Sequence, residues 1–343
     1  MNAPAERRAV RRERFLKAAG WRGAIAKPLA GDASNRRYER LEGDQGRSKA
    51  VLMDAPPKRG EDVRPFLAVT KRLRDAGFSA PEIYFADETE GFLLLEDLGD
   101  ALFARVCASD PALERPLYAA AGALLAEIQA RPAAENGFDP PPYDVQTLLR
   151  EAVLAVDWWW KGVCDPPSDA AKQRFEGLIR TACAPVSKVR DALVLRDYHA
   201  ENLVWLSDRR GSARVGLLDY QDALAGHGAY DLISLLEDAR RDVSQPASDA
   251  AEDAFFAESG ADREAFSAAS AILAAQRNLK IIGIFARLRL RDGKPAYADL
   301  IPRVWSHLRK DLSHPALADL KAFVAQNLPE PTPERLARLK AGA

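Results

Sequence analysis

The chain has few cysteines, no excess of charge of one sign and no long apolar run. Each of these features excludes a class of protein. Its cysteines, Cys107, Cys164 and Cys183, lie far apart without a C-x-x-C pair, which favours free thiols in a reducing compartment over a disulfide framework. The formal net charge of −1 provides no field that favours nucleic acid or an anionic membrane. No apolar run approaches the roughly 18–20 residues that span a bilayer. We therefore expect a soluble cytoplasmic protein with no nucleic-acid or membrane partner, and no obligate protein partner is evident.

The N-terminal stretch is basic, but no apolar segment follows that would make it a secretory signal. Its five arginines, at positions 7, 8, 11, 12 and 14, admit two interpretations: an arm that binds nucleic acid, or the solvated face of a short helix. Glu6 and Glu13 are interleaved with them, while Phe15, Leu16 and Trp21 would face inward. This pattern favours the solvated helix face.

The first hundred residues mix short strand patterns with one helix pattern. Segments 36–41 and 49–53 flank a Gly/Asp turn and predict a hairpin. Apolar residues at helical spacing predict a helix over 61–76, and the apolar run at 92–95 is typical of a buried strand. The sequence therefore predicts a β-rich N-terminal lobe.

Helical periodicity dominates the rest of the chain. The predicted helices cover 112–130, 145–163, 230–243, 250–258, 264–291 and 296–312. With 343 residues, 47% of them hydrophobic and 29% charged, the chain is large enough for two lobes. We predict an N-terminal lobe at 1–95, a hinge at 96–100 and a mostly helical lobe at 101–343.

Two apolar runs, near 193–195 and 214–218, interrupt the helices, and carboxylates follow each of them. Arg-Asp-Tyr-His-Ala-Glu-Asn (196–202) follows the first run, and Asp-Tyr-Gln-Asp (219–222) follows the second. We predict that the two runs are strands whose pairing brings Asp219 alongside the first motif.

These motifs suit the transfer of a phosphoryl group. Asp197 and Asn202 have the D-x-x-x-x-N spacing of a kinase catalytic loop, and Asp219 stands where a metal-binding carboxylate is expected. The reaction needs a carboxylate beside the attacking hydroxyl and hard oxygen ligands for Mg²⁺. The spacing alone is weak, because Asp and Asn also cap turns. Its place between two predicted strands favours the phosphotransferase interpretation.

Several motifs together resemble a known family. L-R-D-Y-H-A-E-N, L-L-D-Y-Q-D and G-A-Y-D-L are similar to the aminoglycoside phosphotransferase and choline kinase superfamily. With G-D-A-S-N-R-R-Y and V-L-M-D-A-P-P, the chain resembles more narrowly the amino-sugar anomeric kinases of bacterial cell-wall (peptidoglycan) recycling, from Gly31 to about Leu290. The resemblance implies an α+β, bilobal protein-kinase-like fold with a small β-rich N-lobe and a larger, mostly helical C-lobe. It also implies ATP and Mg²⁺ as cofactors and an amino sugar as the partner molecule.

The resemblance also implies roles for individual residues. Asp197 would deprotonate the attacking hydroxyl, Asn202 and Asp219 would bind Mg²⁺, and Asp231 would hold the catalytic loop through its backbone N–H groups. The residues implied in nucleotide binding are the phosphate loop, Gly31, Ala33, Ser34 and Asn35, and the hinge, Glu96 and Leu98.

One departure from the family concerns the lysine expected on the third strand of the small lobe. Met53 stands at that position. Arg36, Arg37 and Lys49 are alternative sources of the positive charge, and the sequence does not distinguish among them. Its acidic partner would be Glu61 or Asp62, although acids are also ordinary in the first turn of a helix.

The acceptor side is predicted from four residues. His199 lies two residues beyond Asp197 and would face the acceptor, or it is a buried structural histidine. Asp222 would bind a sugar hydroxyl or a second ion, or it is a turn residue. Trp158, in a run of three tryptophans, would offer a flat face to a sugar ring, although core packing is the ordinary role of tryptophan. Arg277 interrupts an apolar helix and would bind the carboxylate of N-acetylmuramate, or it lies on a solvated face.

Three hypotheses on function follow. The favoured one is an ATP-dependent kinase that phosphorylates the anomeric hydroxyl of N-acetylmuramate or N-acetylglucosamine. This hydroxyl is more acidic than an ordinary alcohol, so the base needs only modest strength. A kinase for another small alcohol, such as an aminoglycoside, a choline-like alcohol or homoserine, is the second. The third is a nucleotide-binding protein that has lost catalysis, suggested by the missing lysine.

Overall fold

The protein is represented by a computed structural model that describes residues 3–29, 35–43 and 49–342. Its strands are β1 (Ile25–Pro28), β2 (Arg37–Glu42), β3 (Lys49–Asp54), β4 (Ile83–Asp87), β5 (Phe92–Glu96), β6 (Ala192–Val194), β7 (Leu203–Trp205), β8 (Val215–Leu217) and β9 (Leu224–Gly226). Its α-helices are α1 (Ala3–Ala18), α2 (Arg64–Asp75), α3 (Phe103–Ser109), α4 (Glu114–Gln129), α5 (Val145–Ala152), α6 (Lys161–Val163), α7 (Asp169–Cys183), α8 (Ala229–Leu236), α9 (Gln245–Ser259), α10 (Arg263–Leu290), α11 (Ile301–Asp311), α12 (Ala318–Asn327) and α13 (Pro333–Ala341). Among the described helices, none combines the length and the apolar character that a bilayer span requires.

The chain divides into two compact units, and each unit is made of two separate segments of the sequence. Unit 1 comprises Met1–Val106 together with Glu201–Asp222. Unit 2 comprises Cys107–Ala200 together with Ala223–Ala343. The lobe and hinge boundaries at 1–95, 96–100 and 101–343 stay predictions.

Unit 1 contains a five-stranded antiparallel sheet of order β1-β2-β3-β5-β4. In the register of β2 and β3, Tyr38 lies opposite Met53. This pairing confirms the hairpin predicted at 36–41 and 49–53. The strand predicted at 92–95 is also confirmed, because β5 is the buried neighbour of β3 in the sheet.

Two helices accompany this sheet in unit 1. The apolar face of α2 buries Phe66, Val69 and Leu73, whose spacing of three and four residues is that of one helix face. Gly77 follows at φ +88°, a left-handed conformation that suits a helix end. The helix predicted over 61–76 is thus confirmed, with its first turn beginning at Arg64.

Helix α1 packs its apolar side on the sheet and also uses its basic side in contacts. Phe15 and Leu16 are buried, as predicted. Arg8 Nε donates to Asp54 Oδ1 at 2.9 Å, and Arg12 Nε donates to Glu39 Oε2 at 2.9 Å. The prediction of a solvated face is therefore wrong for these two arginines, because acids on β2 and β3 pair with them.

The short strands pair differently from the prediction. In unit 1, β7 and β8 form an antiparallel hairpin in which Val204 lies opposite Gly216. In unit 2, β6 pairs with β9. The expected pairing of the strands near 193–195 and 214–218 is wrong, because Leu203–Trp205 forms a strand of its own. The hairpin that it makes with β8 closes a shorter loop, which costs less chain entropy.

Unit 2 is mainly helical, and α10 runs through its core. The helix has 28 residues, and its middle part buries polar side chains as well as apolar ones. The buried polar side chains are Gln276, Arg277, Asn278 and Lys280. The interpretation of Arg277 as part of a solvated face is therefore wrong.

The helix predicted over 145–163 is interrupted. Between α5 and α6 the chain forms a π-helical segment, Ala155–Trp160. A Cβ atom on Gly283 of α10 would lie 2.2 Å from the carbonyl carbon of Leu154, so the backbones meet where this segment begins. The helix predicted over 230–243 is shorter than expected and ends at Leu236, because Glu237 leaves the helical region at φ −109° and ψ 56°.

Candidate active site

The candidate catalytic loop begins where β6 ends, and Asp231 holds its backbone. Asp231 Oδ2 accepts a hydrogen bond from Leu195 N at 2.6 Å, and Oδ1 accepts one from Arg196 N at 2.8 Å. Arg196 has φ +72°, in the left-handed region that residues other than glycine rarely adopt. The carboxylate therefore stabilises a strained turn, as is common at functional sites. The predicted bracing role of Asp231 is confirmed.

Asp197 follows this turn and has cationic neighbours within unit 2. The guanidinium of Arg196 pairs with Glu151, and Lys280 Nζ lies 3.3 Å from Glu151 Oε1. Burial by itself raises the pKa of Asp197, but the charges of Lys280 and Arg196 act against it, and the pKa is lowered from its ordinary value. The carboxylate is ionised at neutral pH and is able to accept a proton.

His199 is buried near the same loop and is neutral at neutral pH. Burial lowers the pKa of His199, and its effect exceeds that of the Asp238 carboxylate, which raises it. Arg240 Nη1 lies 3.4 Å from His199 Nε2. Asp238 is 1% exposed, and its Oδ2 has no hydrogen-bond partner within the described residues. The role of His199 in binding the acceptor stays a prediction.

In unit 1, the β7–β8 hairpin brings the two candidate metal ligands to one end of the strands. Leu218 N donates to Asn202 O at 2.9 Å, so Asn202 lies directly beside the residue that precedes Asp219. Asp219 has φ +55° and is the second non-glycine residue of the two motifs in the left-handed region. Strand pairing thus brings the backbone of Asp219 alongside that of Asn202, as predicted. The strand that pairs with β8 is β7, however, and not the predicted β6. The role of Asn202 and Asp219 as metal ligands stays a prediction.

The Asp-Tyr-Gln-Asp segment is fixed to α2. The ring of Tyr220 stacks on Phe66 with centroids 5.2 Å apart, and its hydroxyl is 2.8 Å from Thr70 Oγ1. Gln221 Nε2 donates to Asp219 Oδ1 at 2.8 Å and to Asp222 Oδ2 at 3.2 Å. One amide thus links both carboxylates, and the predicted sugar contact of Asp222 stays a prediction.

The candidate metal ligands of unit 1, Asn202 and Asp219, suit Mg²⁺ better than a metal ion whose ligands all come from the protein. Among the described residues, no three His, Cys, Asp or Glu side chains come together as a metal site. Asn202 and Asp219 offer hard oxygen atoms of the kind that Mg²⁺ prefers. Because Mg²⁺ keeps several water molecules and binds substrate phosphates, one or two protein ligands are enough.

Three residues of the predicted phosphate loop, Gly31, Ala33 and Ser34, lie outside the described residues. Asn35 is described: its backbone N–H donates to Glu61 Oε1 at 3.0 Å, and its Nδ2 donates to Arg59 O at 3.1 Å. Glu61 thus anchors the end of the loop to the segment that precedes α2. The role of the four residues in binding phosphate stays a prediction.

The predicted hinge residues have structural contacts in unit 1. Glu96 N donates to Glu82 O at 2.8 Å, and Glu96 Oε1 accepts from Arg209 Nη2 at 2.5 Å. Leu98 packs with Val204 in a small apolar cluster. Their contact with the adenine of a nucleotide stays a prediction.

Two predicted acceptor residues differ in their surroundings in unit 2. Trp158 is half-buried, whereas its neighbour Trp159 is fully buried and donates from Nε1 to Pro329 O at 2.8 Å. Of these two tryptophans, Trp158 is therefore the one whose side chain is partly exposed to solvent. Arg277 donates from Nη1 to Glu237 O and from Nη2 to Ser234 Oγ, each at 3.0 Å. These contacts support the end of α8, and the binding of a substrate by Trp158 or Arg277 stays a prediction.

Glu151, which the sequence motifs did not reveal, lies at the centre of a buried network. It pairs with Arg196 and Lys280, accepts a hydrogen bond from the hydroxyl of Tyr143, and contacts Gln276 Nε2 at 3.3 Å. The signal was available in the sequence. A glutamate that follows Leu148 by three residues lies on the apolar face of an amphipathic helix, where a charge requires a partner.

The sequence matches the profile of a known protein family. The sequence profile of the phosphotransferase enzyme family (APH) matches residues 25–269. The chain belongs to this family and is a phosphotransferase of the kinase type.

Two relatives carry the same name, N-acetylmuramate/N-acetylglucosamine kinase. The protein from Caulobacter vibrioides is 38% identical, over 97% of this chain and 99% of its own length. The protein from Pseudomonas aeruginosa is 35% identical, over 88% of each chain. Among solved structures, the ADP-bound aminoglycoside phosphotransferase APH(2'')-Ib is 14% identical and has a TM-score of 0.58, covering 88% of this chain and 97% of its own. The α+β, protein-kinase-like fold class is confirmed.

Proposed function

We propose that the chain is an ATP-dependent amino-sugar kinase that phosphorylates the anomeric hydroxyl of N-acetylmuramate, N-acetylglucosamine or both. The observation that carries the proposal is the turn that leads into Asp197, which Asp231 braces through two backbone hydrogen bonds. The names of the relatives at 34–38% identity support the choice of acceptor. Use of a nucleotide follows from the family, and ATP is the nucleotide that we propose.

In this proposal Asp197 is the general base. Its carboxylate accepts the proton of the anomeric hydroxyl while the sugar oxygen forms a bond to the γ-phosphorus. The bond from this phosphorus to the bridging oxygen breaks, and ADP leaves with the electron pair. The lowered pKa of Asp197 makes it a weak base, which suits an anomeric hydroxyl because that hydroxyl is more acidic than an ordinary alcohol.

Asn202 and Asp219 are the residues that would hold Mg²⁺. Mg²⁺, when bound, neutralises charge on the phosphate oxygens. The hairpin of β7 and β8 fixes the backbone of both residues, so their donor atoms are held by one local element. Gln221 orients the carboxylate of Asp219 through its amide.

The experiment that tests the function combines a product analysis with one variant. Purified protein is incubated with ATP, Mg²⁺ and either amino sugar, and phosphorus and proton NMR identify the phosphorylated oxygen. We expect a sugar 1-phosphate, and we expect Asp197→Asn to lower kcat by about 10²–10⁴-fold, the usual contribution of a general base. Asp208→Asn is the matched control, because Asp208 is an exposed residue of the turn after β7.

Three results would contradict the proposal. They are a phosphate on another sugar oxygen, a clear preference for an aminoglycoside, choline or homoserine in the same assay, and full activity of Asp197→Asn.

A further inference from the structure

The transfer of a phosphoryl group from a nucleotide requires a cation on the nucleotide phosphates. The position on β3 where a lysine is expected holds Met53, which is 1% exposed and lies opposite Tyr38 of β2 and Leu93 of β5. A thioether does not supply this charge. Another residue of the chain must do so if the protein binds a nucleotide.

The structure distinguishes among the three cations that the sequence left open. Arg37 and Lys49 are exposed, whereas the side chain of Arg36 is 13% exposed. Lys49 is four residues from Met53, about 13 Å along an extended strand. Arg36 directly precedes β2 and lies two residues before Tyr38, the residue opposite Met53.

Arg36 is held in place by an acid. Its Nε lies 2.9 Å from Glu61 Oε2, and the other oxygen of Glu61 accepts the backbone N–H of Asn35 at 3.0 Å. Glu61 is 11% exposed, so the pair is largely removed from solvent.

The charge of Arg36 acts on the same part of unit 1 as the candidate metal ligands. Burial lowers the pKa of Arg36, but Tyr38, Glu61 and Asp222 act against it, and the pKa is raised. Burial raises the pKa of Tyr38 to about 12, and the charge of Asp219 contributes to this rise. The charge of Arg36 therefore acts on Asp222, which the amide of Gln221 links to the candidate metal ligand Asp219.

We propose that Arg36, oriented by Glu61, is the cation that binds the phosphates of the nucleotide. The assignment rests on the proposed nucleotide-dependent function. It gives Arg36 and Glu61 the duties of the lysine and glutamate pair of other kinases, with the cation supplied from the residue that precedes β2. Arginine suits the task because its planar group binds two phosphate oxygens at once.

The test measures nucleotide binding directly, without an acceptor. A fluorescent ADP analogue is titrated into the full-length protein with Mg²⁺, and KM is then determined for ATP and for the sugar. We expect Arg36→Met to weaken binding of the analogue at least tenfold and to raise KM for ATP, while KM for the sugar changes less than twofold. Arg36→Lys should recover part of the loss. Arg37→Met is the matched control and should equal the wild type, because Arg37 is the exposed neighbour.

Unchanged affinity for the analogue in folded Arg36→Met would overturn the assignment. If that variant does not fold, Arg36→Gln takes its place, since glutamine removes the charge and keeps a neutral N–H donor. A purely structural role would lower the melting temperature and weaken sugar and nucleotide binding alike, and this result would also overturn it. Wild-type protein that binds the analogue but phosphorylates no amino sugar would contradict the proposed function and leave the test of Arg36 valid.

Discussion

Asp231 uses both of its carboxylate oxygens on one turn of the chain. The two N–H groups that it accepts belong to consecutive residues, Leu195 and Arg196, and the second of these has the positive φ. Ser234 Oγ adds a longer contact, 3.3 Å, to Arg196 O. The direction in which the chain enters Asp197 is therefore set by a side chain that is distant in sequence.

We predict that Asp231→Asn lowers both activity and stability. Asparagine has one acceptor oxygen, so its NH2 group would face one of the two backbone N–H groups. That buried donor would be left unsatisfied. The cost of such a donor is about 1–3 kcal/mol, and we expect kcat to fall at least tenfold because Asp197 is displaced. Steady-state kinetics and urea unfolding at pH 7.5 measure the two effects.

The same substitution at Asp144 is the control. Asp144 Oδ1 caps α5 by accepting one N–H, from Thr147 at 2.8 Å, and asparagine caps helices about equally well. We expect Asp144→Asn to retain activity and to change stability by less than about 0.5 kcal/mol. Equal effects of the two substitutions would contradict the bracing role.

At the scale of residues, the sequence identified those whose chemistry follows from spacing. Asp197, Asn202, Asp219 and Asp231 were all singled out from short motifs. The ion pair beside Asp197 was not predicted, since Glu151 and Lys280 are about 130 residues apart and meet only through packing of α5 on α10. The choice of Arg36 over Arg37 likewise depended on side-chain burial, which neighbouring positions do not reveal.

The backbones of helices α4 and α9 approach each other closely at Gly122. A Cβ atom on Gly122 would lie 2.1 Å from Ala251 O, far inside van der Waals contact. The backbone of α9 occupies this space, so the helices must separate to admit a methyl group. The absence of a side chain at this position is thus a condition of the packing.

We predict that Gly122→Ala destabilises the protein by about 1–3 kcal/mol, the usual cost of overpacking. Gly177→Ala is the matched control, because Gly177 lies within α7 and a Cβ there meets nothing within 4 Å. That substitution should stabilise by up to about 1 kcal/mol through helix propensity. Urea unfolding of both variants checks the difference, and a stabilising Gly122→Ala would show that the helices adjust freely.

At the scale of elements, prediction succeeded where the periodic pattern was long. The hairpin of β2 and β3, helix α2 and helix α10 were all predicted. Strand β7, which pairs with β8, and strand β9, which pairs with β6, were not predicted, because three residues are too few to show alternation. The π-helical segment Ala155–Trp160 was not predicted either, and it begins where the backbone of α10 approaches Leu154 most closely, a contact that the local pattern does not show.

Global stability depends on a buried pair of acids in unit 2. Asn278 Nδ2 donates to Glu237 Oε2 and to Asp311 Oδ2, each at 2.8 Å. Burial raises the pKa of Asp311 to about 8, and the neighbouring Glu237 adds to the rise, while Asn278 and Lys310 act against it. At neutral pH the folded protein therefore holds a proton on Asp311 that the unfolded chain has released.

We predict that this proton makes the protein less stable at alkaline pH. The folded pKa lies above the unfolded value of about 3.9, so the contribution is complete below pH 4 and is lost as the pH rises through 8. The slope is at most about 1.4 kcal/mol per pH unit. Asp311→Asn has no proton to lose, so its stability relative to the wild type should increase from pH 6 to pH 9.

Chemical denaturation of both proteins at pH 6, 7.5 and 9 measures this difference. Asp231, whose pKa burial raises to about 7, acts in the same direction but is common to both proteins. Parallel pH profiles of the wild type and the variant would show that Asp311 does not carry the proton.

The division into units was beyond sequence reasoning, because it depends on where a distant hairpin docks. Residues 201–222 return to unit 1, where Leu217 N donates to Ser79 O and Trp205 N donates to Ala101 O, at 2.9 and 2.8 Å. A Cβ atom on Gly216 would lie 3.0 Å from Leu98 Cδ1, closer than ordinary van der Waals contact, so the hairpin packs tightly against Leu98. A gene chimera of two relatives joined once, near Val106, would thus combine the sheet of one parent with the hairpin of the other. Swapping this unit intact takes two inserted DNA segments, and shuffling experiments should recover such double exchanges more often than single ones.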